Sequence, residues 1–203
     1  MKKTIPTALI TLMAILILSG CSTGIHTSWT DPYYKGKRFN SLTILALSDK
    51  PEQRYAFEST VSGVFNDKGM SAIPAYTKLK SDTSFKYYQF EMKFDSLGVD
   101  AILIFRLLSI KEQESYAPDQ TYFLPQYYFN YYTYYYNHYN LVNSPGYVRR
   151  DTIVKIEASL YSNRGDMLVW TAQTSTINPA SVESLARSLG KTVFRQLKRK
   201  KLI

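Results

Sequence analysis

Cysteine and histidine are nearly absent from this sequence, with one Cys and two His in 203 residues. A single thiol excludes an internal disulfide framework and any multi-cysteine metal site. Two imidazoles, His26 and His138, leave little for a histidine-based zinc site. Acidic residues are short as well: 16 Asp+Glu face 25 Lys+Arg, for a formal charge of +9. Neither a GxxxxGKS/T loop nor a GxGxxG turn occurs, so the familiar phosphate cradles are missing. At 45% apolar and 20% charged residues the composition is nonetheless that of a folded chain. What the chain has in excess is tyrosine, 18 residues unevenly spread.

The one cysteine has an address. Lys2 and Lys3 precede an apolar run from Ile5 to Leu18, which ends in Leu18-Ser19-Gly20-Cys21. The run falls short of the ~20 residues that span a bilayer core, and no stop-transfer charges follow it. Small residues before Cys21 suit a signal peptidase, and the thiol is the group that takes a diacylglyceryl chain. Residues 1–20 therefore read as a lipoprotein signal peptide, with lipidation at Cys21 and a mature chain of formal charge +7 once Lys2 and Lys3 are removed. Ser22, where an Asp would suggest retention at the inner membrane, is compatible with the outer membrane. The expected localisation is the outer membrane, lipid-anchored and facing the periplasm, where kinases, NTPases and nucleic-acid binders are out of place.

Residues 21–40 show no period and read as a tether, in which Trp29 is expected to pack onto the domain and pin the chain. Ser41–Leu47 and Ala101–Phe105 are apolar runs of the buried-strand kind. Between them, Ala56, Phe57, Val61, Val64 and Phe65 recur at helical spacing after Pro51, and Gly69 is a plausible stop. Arg54 and Glu58, four apart, read as a surface ion pair. Met70–Tyr76 is a weak strand, and Ser84–Leu97 reads as a second helix stopped at Gly98. Ile153–Tyr161 alternates, Asn163–Asp166 turns, and Met167–Thr176 returns as a hairpin strand. A third helix follows Asn178-Pro179, with Val182, Leu185, Ala186, Leu189, Val193 and Leu197 on one side. The expected fold is α/β: a single domain over residues 41–201, a mixed sheet of about five strands with three helices, in the order β-α-β-α-β, insert, β-β-α.

Arg54-x-x-Phe57-Glu58, Gly69, Gly98-Val99-Asp100-Ala101 and Asn163-x-Gly165-Asp166-Met167-Leu168-Val169-Trp170 together resemble small periplasmic lipoproteins of unknown function. The layout from Ser41 to Leu197 is also similar to LpoB-type activators of penicillin-binding proteins and to the periplasmic part of curli-export lipoproteins. The resemblance implies a fold and a compartment, and carries over no catalytic residue.

Two surfaces are left for function. The insert, residues 115–148, holds Tyr116 and then Tyr122, Tyr127, Tyr128, Tyr131, Tyr132, Tyr134, Tyr135, Tyr136 and Tyr139. No Lys or Arg occurs between Glu112 and Val148. Tyrosine offers a flat apolar face and a hydroxyl at low rotamer cost, which suits stacking on sugars, on aromatic partners or on itself. The insert reads as an extended hairpin arm, a loop, or a contact surface for glycan or a partner protein. The second surface is basic: Arg187, Lys191 and Arg195 form a row on the last helix, continued by Lys198 and by Arg199–Lys201. It reads as a solvated face or as a contact for anionic phospholipid or peptidoglycan.

Catalysis is not expected. The only His beyond the tether lies in the tyrosine segment, so a Ser-His-acid set is not in evidence, and a lipidated Cys21 cannot act as a nucleophile. Glu58, Glu91, Asp95, Asp100, Glu112, Glu114 and Asp119 supply carboxylates, but their spacing selects no pair. The expected partners are the membrane, through the N-terminal lipid, and an envelope protein or peptidoglycan, with no cofactor, no metal and no nucleic acid. The alternative is a self-associating component of an envelope or secretion complex.

Overall fold

A computed structural model of the chain describes residues 23–78, 98–117, 147–163 and 167–203. Their strands form one six-stranded mixed sheet: β1 (Thr23–Thr30), β2 (Ser41–Leu47), β3 (Ser71–Pro74), β4 (Ala101–Ala117), β5 (Tyr147–Ser162) and β6 (Leu168–Ile177), in the order β1-β6-β5-β4-β2-β3. Two α-helices accompany them, α1 (Pro51–Asn66) and α2 (Val182–Arg199), with a 3-10 turn at Ala75–Thr77. The class is α/β as expected. The strand count is six rather than about five, because Thr23–Thr30, placed in the tether by its lack of an apolar period, pairs antiparallel with β6. The helix expected at Ser84–Leu97 lies outside the described residues.

The chain divides into two compact units, one of Met1–Ile110 with Ile153–Ile203 and one of Lys111–Thr152. In the first unit β2 pairs parallel with both β3 and β4, and β5 pairs antiparallel with β6. The Asn163 N–H donates to the Asp100 carbonyl at 2.9 Å, and Arg106 reaches Glu157. Those two contacts set β4 and β5 antiparallel. In the second unit the described residues are strand ends, Lys111–Ala117 and Tyr147–Thr152.

Alternation in the strands sorts the faces. Leu42, Ile44, Ala46, Ala101, Leu103, Phe105, Val154, Ile156, Ala158, Leu160, Trp170 and Ala172 join Phe57, Val61 and Phe65 of α1 and Ala186, Leu189, Val193 and Leu197 of α2 in one core. Both helices thus lie on the same face. On the reverse face Leu45, Ile102 and Ala75 form a smaller cluster with Ile104 against it. β2 is buried on both sides, which is why it reads as an unbroken apolar run. The helices meet closely at Gly190, where an added Cβ would touch Val64 at 3.5 Å. Phe65 and Phe194 pack edge to face beside it, with centroids 5.2 Å apart.

The helix ends follow local chemistry. Pro51 occupies the first turn of α1, and Gly69 follows its end at φ +81°, a backbone region costly to any residue with a Cβ. α2 begins later than Asn178-Pro179 suggests. Ser181 is its N-cap, and Ser181 and Ser184 exchange side-chain and backbone hydrogen bonds in a capping box.

Candidate functional site

Of the residues singled out in the sequence, Cys21 and the tyrosines from Tyr122 to Tyr139 lie outside the described residues. Arg187, Lys191, Arg195 and Lys198 are described, and all four are exposed on α2. Ala186, Leu189, Val193 and Leu197 on the other side of α2 are fully buried. Burial of each Leu or Val is worth about 1.5–3 kcal/mol, so the apolar stripe fixes the helix rotation and thereby the direction of the cations. Among the described residues none of the four cations has a carboxylate partner. Lys198 and Arg199 sit in the last turn, where the helix dipole favours positive charge. Arg199 also donates to the Gln196 side chain.

The seam between β1 and α2 lies beside this row, and sequence reading missed it. The Thr23 hydroxyl donates to Ser188 Oγ at 2.8 Å and lies 2.7 Å from Thr176 Oγ1. The Thr192 hydroxyl donates to the Thr23 carbonyl at 3.3 Å, and Gln196 Nε2 donates to Ser28 Oγ at 3.4 Å. Residues 23–30 are therefore fixed to the fold. Trp29 is not the pin: it is 47% exposed, paired through its backbone with Thr171. The available signal was the β-branched alternation of Thr23, Ile25 and Thr27, muted because only one face of an edge strand needs apolar residues.

A second buried polar arrangement joins α1 to the sheet. Glu58 is fully buried. Its Oε1 accepts from Arg54 Nε at 2.8 Å and from the Ala46 N–H at 3.0 Å, and its Oε2 accepts from the Tyr76 N–H at 2.7 Å. This is a buried ion pair, not the surface pair that i,i+4 spacing suggests; the difference is made by two backbone donors that α1 alone does not show. Asp100 has a similar task, with Oδ2 accepting from the N–H groups of Asn40 (2.8 Å) and Ser41 (3.1 Å). Nearby, Tyr34 stacks on Phe39. Its hydroxyl pKa is raised above 10.0 by burial and, to a lesser degree, by the Asp100 charge. Both carboxylates are thus spent on positioning backbone.

The strand ends leading to the tyrosine segment are charged rather than apolar. Arg150 Nε reaches Glu114 Oε1 at 2.6 Å and Arg149 Nε reaches Asp151 Oδ1 at 2.9 Å, with both arginines well exposed. Such pairs contribute about 0–1 kcal/mol each. β4 extends to Ala117 and β5 starts at Tyr147, so both margins of the insert expected at 115–148 are strand. Among the described residues no group of three His, Cys, Asp or Glu is placed to hold a metal ion, and no helix is long and apolar enough to cross a membrane.

No family model and no curated protein matches the chain. Among solved structures it is similar to the PelC dodecamer from Paraburkholderia phytofirmans, at 11% identity and a TM-score of 0.45 over 84% of this chain and 94% of that one. Lipoprotein GNA1162 from Neisseria meningitidis is similar at 14% identity and a TM-score of 0.41, over 78% of this chain and 98% of that one. At these scores the likenesses assign neither activity nor assembly to this chain.

Proposed function

We propose that the chain is a cell-envelope lipoprotein, anchored through Cys21 in the outer membrane, facing the periplasm and acting by binding rather than catalysis. The observation that carries the reading is the lone cysteine at the end of Leu18-Ser19-Gly20-Cys21, behind a basic start and a short apolar run. The contact surface is the tyrosine segment, Tyr122–Tyr139, and its partner is a glycan such as peptidoglycan or another envelope protein. Supporting this, the described chain on either side of the segment is strand, β4 reaching Ala117 and β5 starting at Tyr147. Tyrosine, with a flat apolar face and a hydroxyl, is the residue type used for recognition surfaces. Deleting Tyr122–Tyr139 should abolish retention on peptidoglycan or on the envelope partner while the circular dichroism spectrum keeps its α/β form. Retention unchanged after deletion contradicts the role of the tyrosines.

A second reading, self-association within an envelope complex, is favoured by one feature. β1 is the terminal strand of the described sheet, eight residues long, and its outer edge can template pairing with a second copy. Concentration-dependent growth in mass by light scattering supports it, and a strict monomer at high concentration contradicts it.

A further inference from the structure

We propose that α2 lies directly against the anionic phospholipid surface in which Cys21 is anchored, with Arg187, Lys191 and Arg195 on the headgroup phosphates. The inference rests on the lipid-anchored reading and adds to it a fixed stance of the protein on the membrane.

Reach is the first ground. Cys21 is two residues before Thr23, and two residues span at most about 7 Å. Thr23 is clasped to the middle of α2 by Ser188 and Thr192. Covalent reach alone thus confines the lipid attachment point to within about 7 Å of Thr23. A flexible tether of residues 21–40 would instead allow an end-to-end distance of roughly 25 Å.

Direction is the second ground. At 3.6 residues per turn, Lys191 and Arg195 lie about 60° and 20° round the helix from Ser188, and Arg187 about 100° on the same side. The exposed cations therefore lie on the flank of α2 beside Ser188, the residue that holds Thr23. The acidic residue on this row is Glu183, in the first turn, where the Ser181 hydroxyl bonds its carboxylate.

Charge is the third. Arg106, Arg149 and Arg150 are exposed and each has a carboxylate partner. Arg187, Lys191 and Arg195 have none among the described residues, which leaves them available to phosphate. Attraction to a charged surface fades over a Debye length of about 8–10 Å at physiological salt. The two-residue connection keeps the row within that range, and a twenty-residue tether would not.

The test uses the full acylated protein in vesicles of phosphatidylglycerol mixed with phosphatidylcholine, in vesicles of phosphatidylcholine alone, and in non-ionic micelles. A water-soluble amine reagent labels lysines, and peptide masses give the reactivity of Lys191 against Lys155, which is exposed on the opposite face of the sheet. Labelling of Lys191 should fall about fivefold in the phosphatidylglycerol vesicles relative to micelles, and recover in 1 M salt, where the Debye length is about 3 Å. Lys155 should not change. The double variant Arg187→Glu, Arg195→Glu should stay acylated and lose the protection. Equal reactivity of Lys191 in all three settings, or protection that survives the double variant, overturns the proposal. Equal protection by phosphatidylcholine alone also overturns it, since charge would then play no part. The mass of the N-terminal peptide in the same digests reads acylation separately: acylated Cys21 with unprotected Lys191 removes the stance alone, and unmodified Cys21 removes the anchor as well.

Discussion

The two edges of the sheet are secured by opposite means. At the β3 edge a short parallel strand of four residues is held by its ladder to β2 and by the Asn66 side chain, which accepts from the Ala72 N–H and donates to its carbonyl, while buried Glu58 binds Arg54 and the backbone of Ala46 and of Tyr76 in the turn that follows. At the β1 edge an antiparallel strand of eight residues is held by its ladder to β6 and by hydroxyls bridging to α2. The first arrangement relies on two side chains of α1, Asn66 and Glu58, each of which bonds backbone of the sheet side through more than one hydrogen bond. The second spreads its stability over many weak contacts, each replaceable. An edge built the second way would share a pull on the chain along a ladder, which suits the anchor proposed at Cys21.

Substitutions should separate the two edges. Glu58→Ala removes the acceptor of three donors, two of them backbone N–H groups in the interior; the expected loss is about 3–5 kcal/mol in urea unfolding. Thr23→Val acts on the other edge. It leaves Thr176 Oγ1, in a residue only 1% exposed, without Thr23 as its partner, at an expected cost of about 1–3 kcal/mol. Hydrogen exchange should then quicken in β1 and not in β3; equal quickening at both edges would erase the contrast. Ser181→Ala, at the start of α2, should cost about 1 kcal/mol through the lost cap. The Glu183 carboxyl is held below its usual 4.5 mainly by the Ser181 hydroxyl, so its stabilising effect is present above that value and fades as pH falls through the lowered one. In the Ser181→Ala variant an NMR titration should show Glu183 shifted upward. The smallest effect is at Tyr34. Its raised pKa means that the folded state holds the proton longer, so stability is intact below pH 10.0 and declines above it. Tyr34→Phe should flatten that alkaline decline.

The same contrast explains what could be seen in the sequence. β2 and β4 announce themselves because strands buried in the middle of a sheet need apolar residues on both faces. The cationic row on α2 is visible because i,i+4 spacing maps directly onto a helix surface. β1 is hidden: Thr-Gly-Ile-His-Thr-Ser-Trp-Thr is held by backbone hydrogen bonds and by small hydroxyls, which leave no apolar period in the sequence. Glu58 is misread for a related reason. Its pairing with Arg54 is local, whereas the Ala46 and Tyr76 amides come from 12 and 18 residues away, so the burial is a tertiary fact. The tyrosine segment is prominent in the sequence, and its strand margins at Ala117 and Tyr147 extend into what composition alone marks as insert.

Attachment of the protein to its membrane immediately before its first strand, as proposed, is read directly from its N-terminal peptide. Trypsin acting on the membrane-extracted protein should release a peptide from Cys21 to Lys35, since no Lys or Arg lies between them. This peptide should begin at Cys21 and carry the mass of a diacylglyceryl group. A peptide with an unmodified Cys21, still joined to the residues before it, would contradict the account.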